Sequence, residues 1–381
     1  MRRLNSTLLL DLIRREGPAS RAELARLSGL AKPTVSSQMA ALLRSGVVRE
    51  QGPGDSNSRG GKRPTLVSFN PECGRLVGVE ISAARILVAL ADMNGEIQER
   101  LSVDVPARHE AETVLNLVIR GVRKITDRAW SEKPTVVAVA APGRVDARLG
   151  IVLEAGNVFN WRDVPVREYL EGALEFPVLV ENDVNLAALG EMHAGAARGV
   201  ENFVLIRLTT GIGAGVVHNG RLWQGSHWAA GEIGHMVLDR AENSAAWGAR
   251  GYLESVVGSD RVVEKAQSTS SAMAALLSGQ GLPGALQEAL RREDPAAVAI
   301  LEGLATHLGL ATADVAVMFD PEMIVLQGDL FHLVVDRIRQ LVERAISWPV
   351  RIEISNLGDD VVLQGAIRGA RDAANELLAG L

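Results

Sequence analysis

The chain has 381 residues, 47% apolar and 23% charged, with a formal net charge of −6 and one cysteine, Cys73. That length holds two or three domains with real cores. One cysteine excludes an internal disulfide and a multi-thiolate metal site, and no uninterrupted apolar run reaches the roughly 20 residues that span a bilayer. Asp11 and Arg14 break the N-terminal apolar run before any small-residue cleavage site, so the start does not read as a signal peptide and a cytoplasmic protein is expected.

Charge divides the chain in two. Residues 1–70 hold twelve Lys/Arg and five Asp/Glu, a net +7, which leaves −13 for residues 71–381. A basic head suits a polyanion and an acidic body does not. Within the head, Leu8, Leu9, Leu12 and Ile13 recur at helical spacing until Gly17-Pro18. Ser20 and Glu23 form a capping box that opens a second helix with Leu24 and Leu27 facing inward, and Gly29 makes the turn. Pro33 fits the first turn of a third helix, in which Val35, Met39 and Leu42 face the core. Lys32, Thr34, Ser36, Ser37, Gln38 and Arg44 are left on the outer side, able to reach phosphates or base edges. Two β-type runs, VVRE and TLVSF, flank a Gly/Ser/Asn loop carrying Arg59, Lys62 and Arg63. This reads as a winged helix-turn-helix whose wing cations track duplex DNA.

From residue 71 the pattern changes. LVGVEISAARILVALADMNGEI reads as paired strands with an Asn94-Gly95 turn, followed by a helix over 111–130 and the apolar strand TVVAVAAP. A strand at 178–181, a helix at 184–197, a strand pair around TTGIGAGVVHNG and a long helical stretch over 284–318 follow. Strand MIVL, a helix at 330–346, strand RIEIS and a final helix end the pattern, which is α/β.

The motifs APGRVD (141–146), GNVFNWRDVPV (156–166), ENDVNLAALGE (181–191), TTGIGAG (209–215), GEIGHMVLD (231–239) and GARGYLE (248–254) together resemble the ROK family of bacterial sugar kinases and sugar-responsive repressors. The resemblance implies an actin-like, ribonuclease H-like body of two α/β lobes (71–381) behind the DNA-binding head (1–70), in the repressor branch. It implies sugar contacts at Asn157, Asn182, Asp183, Glu232, His235 and Glu254, with Asp183 the counterpart of the kinase base. Carboxylates and amides suit a ring of hydroxyls, each both donor and acceptor. A helix cap at Asn182 or Asp183 and a core role for His235 are the competing structural readings.

The nucleotide side departs from the family pattern. The kinases' first phosphate loop has an acid that helps hold magnesium, then Gly-Gly-Thr; here the stretch is Glu80-Ile81-Ser82-Ala83-Ala84-Arg85, with both glycines gone. TTGIGAG survives but reads equally as a glycine-rich turn packed on the sheet. Near the C-terminal end, Gln327-Gly328-Asp329-Leu330 sets a negative charge where a polyphosphate would lie. The family's zinc cysteines are replaced by Ala245, Trp247 and Tyr252, and the rings of Trp247 and Tyr252 are of a size to hold the loop by packing. No metal, no cofactor and no kinase activity are expected. The implied protein is a homodimeric repressor of carbohydrate-metabolism genes that binds an operator and senses a sugar or sugar phosphate. The rival readings are a sugar kinase tethered to DNA and a scaffold for a protein partner.

Overall fold

The computed structural model describes residues 2–53, 63–106, 110–127, 135–155, 161–238 and 251–378. In the head, α1 (Arg2–Glu16) stops at Gly17, whose φ of +80° favours glycine. β1 (Ala19–Ser20) runs into α2 (Arg21–Ser28), where the Ser20 hydroxyl accepts the Glu23 N–H at 3.2 Å. α3 (Lys32–Arg44) begins with Pro33 in its first turn. β2 (Val48–Pro53) and β3 (Thr65–Phe69) form the antiparallel wing, and β1 pairs with the other edge of β3. Val35, Met39, Leu42 and Leu24 are buried as expected. Leu8 and Leu27 are not: both lie open to solvent, and Leu10 and Ala25 take the inward places. The buried face of α1 is broad because α2, α3 and β3 all pack against it.

Lobe one is built from β4 (Arg75–Ile81), β5 (Arg85–Ala91), β6 (Ile97–Asp104), α4 (Ala111–Asp127) and β7 (Thr135–Ala141). A small sheet follows, made of β8 (Arg144–Asp146), β9 (Ile151–Glu154) and β10 (Arg162–Val164), then α5 (Val166–Leu174) and β11 (Val178–Asn182). The main sheet has the order β11-β7-β4-β5-β6. β11, β7 and β4 run parallel and their cores read as unbroken apolar runs, as strands covered on both faces do.

α6 (Asp183–Ala194) leads to lobe two: β12 (Phe203–Leu208), β13 (Ile212–His218), β14 (Arg221–Leu222), α7 (Tyr252–Val257), α8 (Ser259–Thr269), α9 (Ser271–Arg291), α10 (Pro295–Phe319), β15 (Met323–Gln327), α11 (Phe331–Ala345), β16 (Arg351–Ile354) and α12 (Val361–Leu378). Its sheet has the order β14-β13-β12-β15-β16. The long helical stretch expected over 284–318 is two helices, because the chain turns at Glu293 and Asp294 caps α10 by accepting the Ala296 N–H at 2.8 Å. α10 is long and apolar enough to cross a membrane, yet over half of its apolar window is buried within the lobe, and Glu302 and Asp314 interrupt the run.

α6 and α12 cross between the two sheets. A Cβ added to Gly365 would lie 1.6 Å from the Leu186 carbonyl oxygen, and one on Gly190 2.1 Å from that of Val361, so backbone touches backbone at the crossing. Side chains of α12, both sheets and the head belong to one continuous buried cluster, from Leu9 and Ile13 through Met93 and Ala374 to Phe203 and Val325. Polar contacts seal the joint. The Arg14 guanidinium lies 3.8 Å from the Phe69 ring centroid and donates to Asn375 Oδ1 at 2.6 Å, and Arg371 on α12 donates to the Asn94 carbonyl at 3.1 Å.

Candidate functional site

A cleft of about 580 Å³ lies between the lobes, where the β12–β13 turn, the start of α6, the start of α7 and the turn at residues 231–235 converge. Asp183, Glu232, His235 and Glu254 all line it. Asp183 stands in the first turn of α6, a helix end that favours anions. Burial nevertheless raises its pKa, against the lowering effect of Arg207. Glu232 is raised by burial too, with His235 opposing. Glu254 lies under the glycine turn, and its Oε2 accepts the Ile212 N–H at 3.2 Å.

Asn182 lines the cleft and takes the cap role that was its competing reading. Its Oδ1 accepts the N–H groups of Val184 and Asn185 at 2.9 and 3.0 Å, and its Nδ2 donates to the Gly143 carbonyl and to Asp183 Oδ1. Two of the amide's four hydrogen-bonding positions cap the helix and the other two go to Gly143 and Asp183, while Asp183 itself lines the cavity. Asn157 lies outside the described residues. So do Ala245 and Trp247; Tyr252 is buried, with its hydroxyl 3.4 Å from His307 Nε2. Among the described residues no group of three His, Cys, Asp or Glu is placed to hold a metal ion.

Arg207, Glu181 and Arg144 were not anticipated, and Glu80 was read only as the acid of a lost phosphate loop. The Arg207 guanidinium fills the floor of the cleft. Nη1 donates to Asp183 Oδ2 at 2.9 Å, Nε to Gln327 Oε1 at 3.0 Å, and Nη2 lies 3.5 Å from Glu80 Oε1. The signal was legible: a cation inside the apolar strand FVLIRL needs a buried partner. Glu80 has its pKa pushed up to about 7 by burial, with Arg207 opposing, and its Oε2 is buried without a hydrogen-bond partner among the described residues. Glu181 is buried and accepts from the Asn182 N–H, Asn185 Nδ2 and Gln224 Nε2. Arg144 lines the lobe-one wall and forms no ion pair among the described residues.

Magnesium and a nucleotide polyphosphate do not fit these residues. Glu80, the counterpart of the kinases' metal-holding acid, is paired with Arg207. Residues 82–85 close on themselves, with the Ser82 hydroxyl donating to the Arg85 carbonyl at 2.8 Å. The glycines of TTGIGAG are explained by packing: a Cβ on Gly215 would lie 2.7 Å from Ala188 Cβ, and one on Gly211 2.5 Å from Glu254 Oε2.

On the head, Lys32, Ser36, Ser37 and Arg44 are exposed and Thr34 is half-buried. Gln38 corrects the expectation: it is buried, and its Oε1 accepts the Ser6 hydroxyl at 2.7 Å, tying α3 to α1. Its place beside Val35 and Met39 on the inner face leaves it no route to DNA. Arg63 is exposed at the wing base, while Arg59 and Lys62 lie outside the described residues. Arg49 on β2 adds an exposed cation that the sequence reading omitted.

The ROK family model matches residues 76–372, and a winged helix-turn-helix DNA-binding model matches residues 4–49. The chain belongs to the ROK family. It is 28% identical to a putative xylose repressor of Caldicellulosiruptor sp. (strain Rt8B.4), covering 96% of this chain and 95% of the relative. Among solved structures, a ROK family transcriptional regulator described as a homolog of the E. coli MLC protein matches with a TM-score of 0.82 at 25% identity, over 99% of this chain and 98% of its own. A ROK family glucokinase from Streptomyces griseus, solved with glucose and AMPPNP, matches with a TM-score of 0.67 at 29% identity, over 78% of this chain and 100% of its own. The regulator match takes in both head and body; the kinase match covers a share of the chain close to that of the ROK domain.

Proposed function

We propose that this ROK protein is a cytoplasmic, homodimeric transcriptional repressor of carbohydrate-metabolism genes. Residues 1–70 grip an operator, and residues 71–381 bind a sugar that releases it. The observation that carries this reading is one continuous core joining a helix-turn-helix to a cleft lined by Asp183, Glu232, His235 and Glu254. Lys32, Thr34, Ser36, Ser37 and Arg44 face the DNA, and the wing cations Arg59, Lys62 and Arg63 follow its phosphates. Asp183, Glu232, His235 and Glu254, with Asn157, read the sugar hydroxyls. Exposed Trp223, packed edge to face on Phe319 beside exposed Met318, supports self-association. The first sugar to test is D-xylose, after the name of the relative. Operator binding followed by fluorescence anisotropy, with and without a panel of pentoses and hexoses, tests the reading. The expected coupling is about 1–3 kcal/mol, and Glu232→Ala removes it while operator affinity in the absence of sugar stays. If no sugar alters operator affinity, the cleft is not the sensor.

A further inference from the structure

We propose that Arg207 is the resident cation of this cleft: its guanidinium occupies the place between Glu80 and Asp183, so the cleft admits neither a divalent metal ion nor a phosphoryl group, and its ligand is an uncharged sugar. The ligand part rests on the sugar-sensing reading above. The occupancy part rests on geometry alone. One side chain from β12 of lobe two engages Glu80 on β4 of lobe one, Asp183 at the start of α6, and Gln327 at the end of β15. Arg207 is only 12% exposed and Glu80 11%, so neither charge is satisfied by bulk water. A buried carboxylate requires a cation or a proton. In a site of this shape a divalent ion would supply the cation; here a covalently attached one is already present. Gln327 fixes the third edge of the fork, since its Oε1 accepts a hydrogen bond from the Nε–H while its own amide donates to the Gly358 carbonyl at 3.3 Å.

The charge balance sets the ligand class. A hydroxyl seated on Asp183 faces the guanidinium across that carboxylate. If that hydroxyl carried a phosphate, its two negative charges would meet Asp183 and Glu80 and would compete with both for one guanidinium already engaged on three of its five N–H groups. The remaining walls add more acid than base, with Glu154, Glu232 and Glu254 set against one further guanidinium, Arg144, and the imidazole of His235. An uncharged hydroxyl meets no such penalty.

Two measurements on the full-length protein test this. The first uses Mn²⁺ alone, followed by electron paramagnetic resonance. Arg207→Ser leaves two facing carboxylates and binds Mn²⁺ at least about tenfold tighter than the wild type, and adding Glu80→Gln to that variant abolishes the gain. Equal Mn²⁺ binding by the wild type and Arg207→Ser overturns the proposal. The second compares D-xylose, D-glucose and glucose 6-phosphate by calorimetry. The phosphate ester binds at least about tenfold more weakly than the better of the two sugars, and Glu80→Gln, which frees one edge of the fork, narrows that gap. Glucose 6-phosphate binding as tightly as the sugars overturns the proposal, as does a gap that Glu80→Gln leaves unchanged. Should Arg207→Ser fail to fold, the Glu80→Gln comparison decides. If none of the three compounds binds, the sugar-sensing reading fails, while the Mn²⁺ comparison still judges Arg207.

Discussion

Glu80 couples the cleft to pH. Burial raises its carboxyl to about 7 in the folded chain, from about 4.5 unfolded, so the folded state holds this proton more tightly. The resulting stabilisation is fully present below pH 4.5 and is lost as pH rises through about 7. Asp183 is shifted in the same direction and adds to the trend. Glu80→Gln removes the Glu80 share of the dependence. Relative to the wild type, the variant gains stability between pH 5 and pH 8, by at most on the order of 3 kcal/mol; scanning calorimetry at the two pH values measures it, and a flat difference contradicts the assignment. Gln38 and Ser37 are neighbours with opposite fates. Gln38→Ala leaves the Ser6 hydroxyl without its buried acceptor and costs about 1–2 kcal/mol of stability. Ser37→Ala, on the exposed side, leaves the melting temperature nearly unchanged and alters operator preference instead. Melting curves together with binding to a panel of operator variants separate the two.

At the scale of elements, the α6–α12 crossing is the least tolerant place in the fold. Gly365→Ala puts a methyl group against the Leu186 carbonyl and destabilises by more than about 2 kcal/mol. Gly303 on α10 is the opposite case, with nothing within 4 Å of a built Cβ. Gly303→Ala stabilises by about 0.5–1 kcal/mol, through helix propensity alone. Chemical denaturation midpoints check both. The wing gives a third prediction: replacing Arg59, Lys62 and Arg63 with Ala flattens the log–log salt slope of operator binding by up to about 2.7, at about 0.9 per phosphate contact. The long strands and helices were legible because their apolar periods are long. Three short strands over 144–164 were not, since three or four residues carry no period, and the α9–α10 break was hidden because alanine and leucine continue through it on both sides of Glu293. The cleft acids were legible as motifs. Arg207 showed only as a charge inside an apolar strand, and no motif named its partners, which come from three other elements.

Across the whole molecule, the path from cleft to head is short. α6 starts at Asp183 and crosses α12, and α12 presents Arg371 and Asn375 at the head joint beside Arg14. Arg14→Ala is expected to leave both sugar and operator affinities close to wild type and to reduce the coupling between them, because it removes the cation that meets both sides of the joint. Operator titrations with and without saturating sugar measure this, and an unchanged ratio places the coupling elsewhere.

The shared core has a practical consequence for engineering. A head hung on a flexible tether could be exchanged like a cassette, with new operator specificity grafted at the junction. Here Leu9, Leu10 and Ile13 belong to the same apolar cluster as Ala374 and Leu378. A chimaera cut between Asn70 and Arg75 would expose half of that seam on each fragment. A transplanted head therefore needs the last turns of α12 redesigned with it. Without that, the hybrid should melt in two steps, and its sugar should bind without being read.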